Sequence, residues 1–207
     1  IEPVCIHNIV DTSIFLLQNK SLRTKDEYIF VSTGNLKEVK GFDLLIKAFS
    51  RIAKEYSQAR LIIIGDGIEK NHLIELARKL NIFDKILFKG ALNRIDIAHI
   101  YQNADSFVLS SRSETFGVAY IEAMASGLPV IATRCGGPEN FVIPQTGILV
   151  EPENIDELYN AMQDFILQKE SYDSKFISEY AKNEFSPKCI AEKIIALYEK
   201  ILHVSLR

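Results

Sequence analysis

Short apolar runs alternate with longer amphipathic stretches along most of this 207-residue chain, and this alternation constrains the fold more than any other feature. The short runs are rich in Val, Ile and Phe and are typical of buried strands, whereas the stretches between them carry apolar residues every three or four positions, as helices do. Strands connected by helices form a parallel sheet with helices on both faces. The predicted strands span residues 28–32, 60–64, 85–89, 106–109, 130–133 and 147–150, the last at an edge of the sheet.

Helices are predicted between these strands and after the last of them. Pro187 directly follows Ser186, which indicates a helix that begins with a serine cap and a proline in its first turn. The predicted fold class is therefore α/β with a helical C-terminal segment. A polar, charged stretch over residues 18–27 marks a candidate domain boundary before Tyr28. The predicted helices span residues 41–56, 69–80, 96–103, 116–126, 154–169, 173–183 and 187–202.

Charge and cysteine content exclude several classes of function. The 24 Lys and Arg residues are balanced by 27 Asp and Glu residues, and the net charge of -3 argues against a surface built to bind nucleic acid. The three cysteines are scattered without a CxxC pair, so neither a disulfide framework nor a zinc site is predicted, and a reducing compartment is expected. No apolar run approaches the roughly 20 residues of a membrane-spanning helix. The chain begins without Met or a signal sequence and is expected to be cut from a longer protein.

The carboxyl ends of the strands are where a parallel α/β sheet binds its ligands. Small residues follow the predicted strands there: Gly34, Gly65, Gly90 and Ser111. The stretch GDGIEK begins like a dinucleotide-binding fingerprint, but Lys70 stands where the third glycine belongs, which argues against a dehydrogenase. No Walker A motif is present, and the four histidines show no metal-ligand spacing. The other side chains of this rim are therefore the candidates for a binding or catalytic site.

Lys37 and Lys40 stand in the stretch GNLKEVKG, between the glycine that ends the first strand and the glycine that opens the first helix. Backbone amides at such a helix start, together with a lysine ammonium, form a natural phosphate site. The alternative is two solvated lysines on a turn, and this stretch alone favours that alternative.

Glu114 and Glu122 stand eight residues apart in SETFGVAYIEAMASGLPVIA. On a helix over residues 116–126, which rises about 1.5 Å per residue, their carboxylates would lie on the order of 12 Å apart. Gly117 near the helix start allows a ligand to approach the backbone closely, and the helix amino terminus favours negative charge. Because carboxylates accept hydrogen bonds from hydroxyl pairs, this spacing suits a long ligand with a sugar at each end and phosphate between them, as in a nucleotide sugar.

Other interpretations of the two glutamates stay open at this point. In a glycosidase the two carboxyls stand roughly 5 to 10 Å apart, which the estimated separation disfavours. Taken alone, Glu114 fits a first-turn charge of a helix capped by Ser113. Taken alone, Glu122 is a carboxylate among apolar neighbours, whose burial is costly without a partner.

The stretch ETFGVAYIEAMASGLPVIA resembles the E-x7-E signature of retaining glycosyltransferases of the large group 1 class, family 4. The resemblance implies a GT-B architecture of two facing Rossmann-like domains, of which the first binds the acceptor and the second binds the nucleotide-sugar donor. This chain resembles the second domain, with a linker over residues 1–27, a donor-binding domain over 28–186 and a C-terminal helix over 187–207, and without the N-terminal acceptor domain. The resemblance covers nearly all of residues 28–152 through GNLKEVKGFDLLIKAF, LIIIGDG, ILFKGAL, YQNADSFVLSSRSETFG, CGGPENFV and TGILVEP, and IHNIVDTSIF resembles the segment that links the two domains.

Residue by residue, the resemblance implies that Lys40 contacts the donor diphosphate and that Glu114 contacts hydroxyls of the transferred sugar, and these two are the catalytic residues. It places Glu122 on the ribose hydroxyls. The family usually has Arg where this chain has Asn35, so one cationic diphosphate contact is missing: either Lys37 substitutes or diphosphate affinity is reduced. The other donor-binding positions are Gly34 in the first loop, Gly90, Ala91 and Leu92 against the base, and Thr115, Phe116, Gly117 and Val118 along the sugar and phosphate.

The activity that the resemblance implies is transfer of a sugar from a nucleoside diphosphate sugar to a glycan or lipid-linked acceptor, with retention of anomeric configuration. Neither a cofactor nor a metal is expected, because no Asp-x-Asp cluster is present, and this part alone is expected to be inactive. The full-length protein is expected to be cytoplasmic, with peripheral membrane contact. Two alternatives are a nucleotide-sugar binding or sensing module without transferase activity and a GT-B nucleotide-sugar epimerase. The E-x7-E spacing favours the transferase over both.

Overall fold

The chain folds into one six-stranded parallel sheet, which confirms the predicted Rossmann-like α/β class. The computed structural model describes residues 6–18, 27–168 and 171–205. The strands are β1 (Tyr28–Thr33), β2 (Ala59–Ile64), β3 (Ile86–Gly90), β4 (Ser106–Leu109), β5 (Val130–Thr133) and β6 (Gly147–Val150). Their order across the sheet is β3-β2-β1-β4-β5-β6, so β6 is an edge strand as predicted.

Helices cover the sheet in two layers. The helices are α1 (Phe42–Glu55), α2 (Lys70–Lys79), α3 (Arg94–Gln102), α4 (Val118–Ala125), α5 (Ile155–Leu167), α6 (Ser174–Phe185) and α7 (Pro187–Ser205). Helix α1 packs against α2 and α5, whereas α4 packs against α3 and α6, and α7 packs against α6. Within the described ranges, no helix combines the length and the apolar character needed to cross a membrane.

The start of α4 is the boundary that matters most for function, and the prediction for it was wrong. The helix begins at Val118 rather than at residue 116, because Gly117 forms its N-cap in the left-handed conformation with φ of 96°. Ser113 is therefore not the cap of this helix. Glu114 lies outside α4, so the distance estimated from one continuous helix does not apply to the two glutamates.

The other differences from the predicted bounds amount to at most three residues at any element end. Asn93 caps α3 by accepting a hydrogen bond from the Asp96 amide at 3.0 Å, so this helix begins two residues before the predicted position. Helix α7 begins at Pro187 as predicted, and Ser186 Oγ accepts from the Cys189 amide at 3.4 Å. The sequence pattern did not predict the short 3-10 turns Glu38–Lys40, Phe83–Lys85 and Gly137–Asn140.

The described part of the predicted linker, residues 6–18, packs onto the domain. Val10 and Phe15 are fully buried in the common core. The Val10 amide donates to the Phe185 carbonyl at 2.9 Å, and the Phe15 ring lies 5.9 Å from the Tyr101 ring. The rest of the predicted linker, residues 1–5 and 19–26, lies outside the described residues.

The loops that follow β1 and β4 meet at the carboxyl rim. From β1 the chain continues to β2 on one side, and from β4 it continues to β5 on the other, so a crevice opens between these loops at the topological switch point. Gly41, with φ of 64°, lets them come together, because a Cβ at this position would lie 1.9 Å from the Ser110 carbonyl oxygen. Ser110 Oγ also donates to the Gly41 carbonyl at 2.7 Å.

Two glycines with similar positive φ separate the effect of strain from that of crowding. Gly41 and Gly90 have φ of 64° and 71°, so alanine should cost about 1 to 2 kcal/mol at either position from the backbone alone. A Cβ at Gly90 would meet no atom within 4 Å, unlike one at Gly41. Urea unfolding should show a loss of at least about 3 kcal/mol for Gly41→Ala, since overpacking adds to the strain, and about 1 to 2 kcal/mol for Gly90→Ala. Equal losses would contradict the close approach of the two loops.

Candidate functional site

Lys40 and Glu114 form an ion pair across the crevice. Lys40 ends the turn after β1, and Glu114 lies in the loop after β4. Lys40 Nζ donates to Glu114 Oε2 at 2.5 Å, and Ser111 Oγ lies 3.3 Å from the same oxygen. The two charged side chains are 24% and 10% exposed. The structure therefore brings the two predicted catalytic residues together, although 74 positions separate them in the chain.

The loop after β5 fixes the backbone of Glu114. The Glu114 amide donates to the Cys135 carbonyl at 3.2 Å, and the Glu114 carbonyl accepts from the Gly137 amide at 2.8 Å. Glu114 also forms an isolated parallel bridge with Gly136. No site residue was predicted in this loop, although the pair Gly136 and Gly137 is a sequence signal for close backbone approach. Three loops of the rim thus meet at Glu114.

The Lys40–Glu114 pair keeps unused hydrogen-bonding capacity. An ammonium has three donors and a carboxylate has two oxygens, and the pair uses one donor and one oxygen. Within the described residues, Glu114 Oε1 accepts no hydrogen bond. The start of α4 borders this pair, since a Cβ at Gly117 would lie 3.3 Å from Glu114 Cγ. The first amides of a helix lack partners within it and favour an anion, so the site can bind an anion and a hydroxyl group side by side.

Glu122 is paired with Arg94, a residue that the sequence analysis did not identify. Arg94 Nη2 on α3 lies 2.9 Å from Glu122 Oε1 on α4, and the Glu122 side chain is only 13% exposed. Burial raises the pKa of the Glu122 carboxyl above its ordinary value, and the Arg94 guanidinium partly opposes that rise. The guanidinium also lies over the Phe15 ring, 5.2 Å from its centroid. The cost of burying Glu122 indicated a partner, but only the packing of α3 beside α4 identifies it.

The other predicted site residues at the start of α4 differ in exposure and packing. Thr115 and Val118 are exposed at the rim. The Phe116 ring packs between Phe141, at 5.6 Å between centroids, and Phe185, at 6.1 Å. It belongs to an aromatic cluster.

The first loop and the β3 loop form the rest of the predicted rim. Asn35 is exposed and lies against the loop after β2, where its Oδ1 would be 2.7 Å from a Cβ at Gly67. Lys37 is exposed, and its ammonium has no hydrogen bond or ion pair to the described residues. Backbone hydrogen bonds join neighbouring parts of the rim: Gly34 N donates to Ile64 O at 3.0 Å, and Gly65 N donates to Gly90 O at 2.8 Å.

Ala91 is exposed and Leu92 packs partly against the core. Because β3 lies two strands from β1, Gly90, Ala91 and Leu92 stand at the far end of the rim from the Lys40–Glu114 pair. In the described part of the chain, no group of three or more His, Cys, Asp and Glu side chains is placed to hold a metal ion.

A family comparison covers most of the chain. The family model described as "Glycosyl transferases group 1" matches residues 14–184. The chain is 30% identical over 209 aligned residues to N-acetyl-alpha-D-glucosaminyl L-malate synthase of Bacillus anthracis, an alignment that covers 98% of this chain and 54% of that protein. The chain thus spans about half the length of this relative.

Solved structures show the same fold. Sucrose-phosphate synthase from Thermosynechococcus elongatus superposes with a TM-score of 0.85 and 28% identity, over 96% of this chain and 52% of that one. The C-terminal domain of a glycosyl transferase group 1 family protein from Francisella tularensis superposes with a TM-score of 0.77 and 25% identity, over 86% of this chain and 99% of that domain.

The buried Glu122 carboxyl makes the role of Arg94 measurable through pH. A carboxyl whose pKa is raised by folding contributes fully to stability below its unfolded value of 4.5 and loses that contribution as the pH rises through the folded value. Arg94→Gln should raise the pKa further, so its loss in unfolding free energy should be larger at about pH 7 than at about pH 4. Arg78→Gln is the matched control, because the Arg78 guanidinium also lies over a phenylalanine ring, that of Phe83, as Arg94 lies over Phe15. The assignment fails if the two variants show the same pH dependence in urea unfolding.

Proposed function

The chain belongs to the group 1 glycosyltransferases, and we propose that it is the part of such an enzyme that binds a nucleoside diphosphate sugar for transfer with retention of anomeric configuration. The observation that carries this proposal is the Lys40–Glu114 pair at the switch-point crevice, beside the start of α4. A cation, a helix amino terminus and a carboxylate with a free oxygen match a diphosphate joined to a sugar.

The donor would lie along the rim, with its sugar at Glu114 and its base toward the loop after β3. Its diphosphate would bind the two remaining donors of Lys40 and the first amides of α4, and its transferred sugar would bind Glu114 Oε1. The ribose hydroxyls would bind Glu122 Oε2, which accepts no hydrogen bond from the described residues, while Arg94 holds Oε1. The base would then reach toward Gly90, Ala91 and Leu92.

The chemical role of these groups is to stabilise the leaving group. As the bond between the anomeric carbon and the diphosphate oxygen breaks, its electron pair passes to the diphosphate, while the acceptor hydroxyl oxygen forms the new bond to the anomeric carbon and its proton passes to the departing diphosphate. Lys40 and the α4 amides are in place before the reaction, so they stabilise the developing negative charge without reorganisation. The proposed chemistry uses no metal and no cofactor.

The acceptor is assigned to the other half of the enzyme. We assign residues 1–27 to an interdomain linker, 28–186 to the donor domain and 187–207 to a C-terminal helix, with the acceptor domain outside this chain. A glycan or lipid-linked acceptor, a cytoplasmic location and peripheral membrane contact of the whole enzyme remain predictions from the family resemblance.

A binding or sensing module without transferase activity is the second candidate. It is favoured by Asn35, which supplies hydrogen bonds but no charge where the family usually has Arg. Lys37 is free to supply that charge, and the Lys40–Glu114 pair is intact, so the transferase remains the first choice.

Calorimetric titration with UDP, GDP and ADP tests the donor site and identifies the base. One nucleotide should bind, and Lys40→Ala should weaken it about tenfold to a hundredfold, the effect of losing a charged hydrogen bond. Lys54→Ala is the matched control, since Lys54 is exposed on α1, away from the rim. Binding of no nucleotide, or an equal loss in both variants, would contradict the proposed donor site.

The two glutamates should separate the ends of the donor. Glu122→Ala should weaken the bare nucleotide and its sugar conjugate alike, because the ribose is common to both. Glu114→Ala should reduce chiefly the extra affinity for the conjugate, because the transferred sugar is the part of the donor that contacts Glu114. The measurement is titration of both variants with the nucleotide that binds and with its glucose and N-acetylglucosamine conjugates. Equal losses for all ligands in both variants would show that the assigned roles are wrong.

A further inference from the structure

Arg112 holds the turn that carries Lys40, although it was not among the predicted site residues. It lies in the loop after β4, two residues before Glu114. Its backbone amide donates to the Val39 carbonyl at 2.8 Å, and its Nη1 donates to the Glu38 carbonyl at 2.5 Å. Both carbonyls belong to the 3-10 turn Glu38–Lys40. One residue of the Glu114 loop is thus bonded by main chain and side chain to the turn that ends at Lys40.

The guanidinium of Arg112 is itself held by two acids. Its Nη1 and Nη2 bind Asp43 in bidentate fashion at 2.9 and 3.2 Å, and its Nε binds Glu153 at 2.5 Å. Asp43 lies in the first turn of α1 and also receives Lys47 at 3.0 Å. Burial raises the pKa of the Asp43 carboxyl, but hydrogen bonds from Arg112 and Lys47 bring that pKa below its usual value. Bidentate geometry and several shared charges make this network stiffer than a single surface ion pair.

Arg112 has little capacity left to bind a ligand itself. A guanidinium has five N–H donors, and four of them are used by Glu38, Asp43 and Glu153. Only a quarter of the side chain is exposed. It therefore does not replace the cation that is missing at Asn35, and any effect on a bound diphosphate must pass through the turn.

The contacts of Arg112 complement those of Gly41. The Gly41–Ser110 contact fixes one end of the turn to the β4 loop, and Arg112 fixes the carbonyls of Glu38 and Val39 to the same loop. Without the Arg112 side chain the Glu38 carbonyl loses its bond to this loop, and only the Gly41–Ser110 contact and the backbone bond to the Val39 carbonyl remain, so the long Lys40 side chain would sample more positions. Small misplacements of a charged group cost much of its effect on a ligand.

We propose that Arg112 is a positioning residue of the donor site, which fixes the Glu38–Lys40 turn to the Glu114 loop so that the Lys40 ammonium faces the diphosphate. This inference rests on the proposed function, because it requires a diphosphate beside Lys40.

A double-mutant cycle tests whether Arg112 acts through Lys40. Arg112→Gln should weaken binding of UDP, GDP or ADP, whichever binds the wild type, by about fivefold to tenfold, and should cause no further loss in the Lys40→Ala background. Arg112→Lys should recover only part of the loss, because one ammonium cannot reproduce the fork. Asp43→Asn breaks the same clamp without changing the loop and should show the same background dependence, so the test does not depend on one variant folding.

Arg51→Gln is the matched control. Arg51 also pairs with an acid, Asp156, and lies over the Tyr159 ring, and both partners belong to α5 rather than to a loop of the crevice. Its variant should keep wild-type affinity in both backgrounds. An equal loss in Arg51→Gln, or an equal loss from Arg112→Gln with and without Lys40, would overturn the positioning role.

Hydrogen exchange without ligand separates this inference from the proposed function. The Gly41 amide donates to the Glu38 carbonyl at 3.0 Å, so its exchange should speed up at least about threefold in Arg112→Gln and stay unchanged in Arg51→Gln. Unchanged exchange in Arg112→Gln, in a wild type that binds nucleotide, overturns the positioning role and leaves the proposed function standing. Faster exchange in a chain that binds none of the three nucleotides overturns the proposed function, and with it the donor-site role of Arg112, while the clamp itself stands.

Discussion

The parallel pairing of β1 with β4 brings Lys40 and Glu114 together, and the candidate site depends on it. Phe30 pairs with Ser106 and Val31 with Phe107 in this ladder. At the amino end of the ladder, the buried Asp105 carboxylate accepts from the Ile29 amide at 2.8 Å, and the Asp105 amide donates to the Ile29 carbonyl at the same distance. Because chain connections leave β1 and β4 in opposite directions, this is the one place in the sheet where two loops can face a common crevice.

The charged side chains assigned to the donor, Lys40, Glu114 and Glu122, are each paired with a residue from another element, and this pairing determines how the site can take a ligand. Lys40 pairs with Glu114 across the crevice, and Arg94 pairs with Glu122 between α3 and α4. Breaking such partly buried pairs would leave a charge without compensation, which costs more than the pair itself contributes. A ligand is therefore expected to add hydrogen bonds to the unused donors and oxygens rather than to displace the partners. This expectation holds for the proposed donor, because the Lys40 ammonium keeps two unused N–H donors and the Glu114 carboxylate keeps one unused oxygen.

Sequence patterns predicted the regular elements well because each depends on local spacing. Strands β4, β5 and β6 have the predicted bounds, and α7 begins at the predicted Pro187. The predicted start of α4 was wrong because Gly117 takes the left-handed conformation and caps the helix, while Glu114 before it bonds to the loop after β5. The glycine pair of that loop is a local signal for a close backbone approach, but it does not identify Glu114, more than twenty residues earlier in the chain, as the partner.

The sequence by itself determined the alternation of strands and helices, the glycines at the rim and the identity of Lys40, Glu114 and Glu122 as candidate site residues. It could do so because propensity, periodicity and motif spacing are properties of neighbouring residues, and because the family resemblance identified Lys40, which its own stretch alone did not. Only the tertiary structure decided that Lys40 contacts Glu114, that Arg94 is the partner of Glu122 and that Arg112 clamps the turn before α1. Such pairs join residues 28 to 74 positions apart, and their partners are selected by the order of the strands and the packing of the helices, which no short stretch of sequence contains.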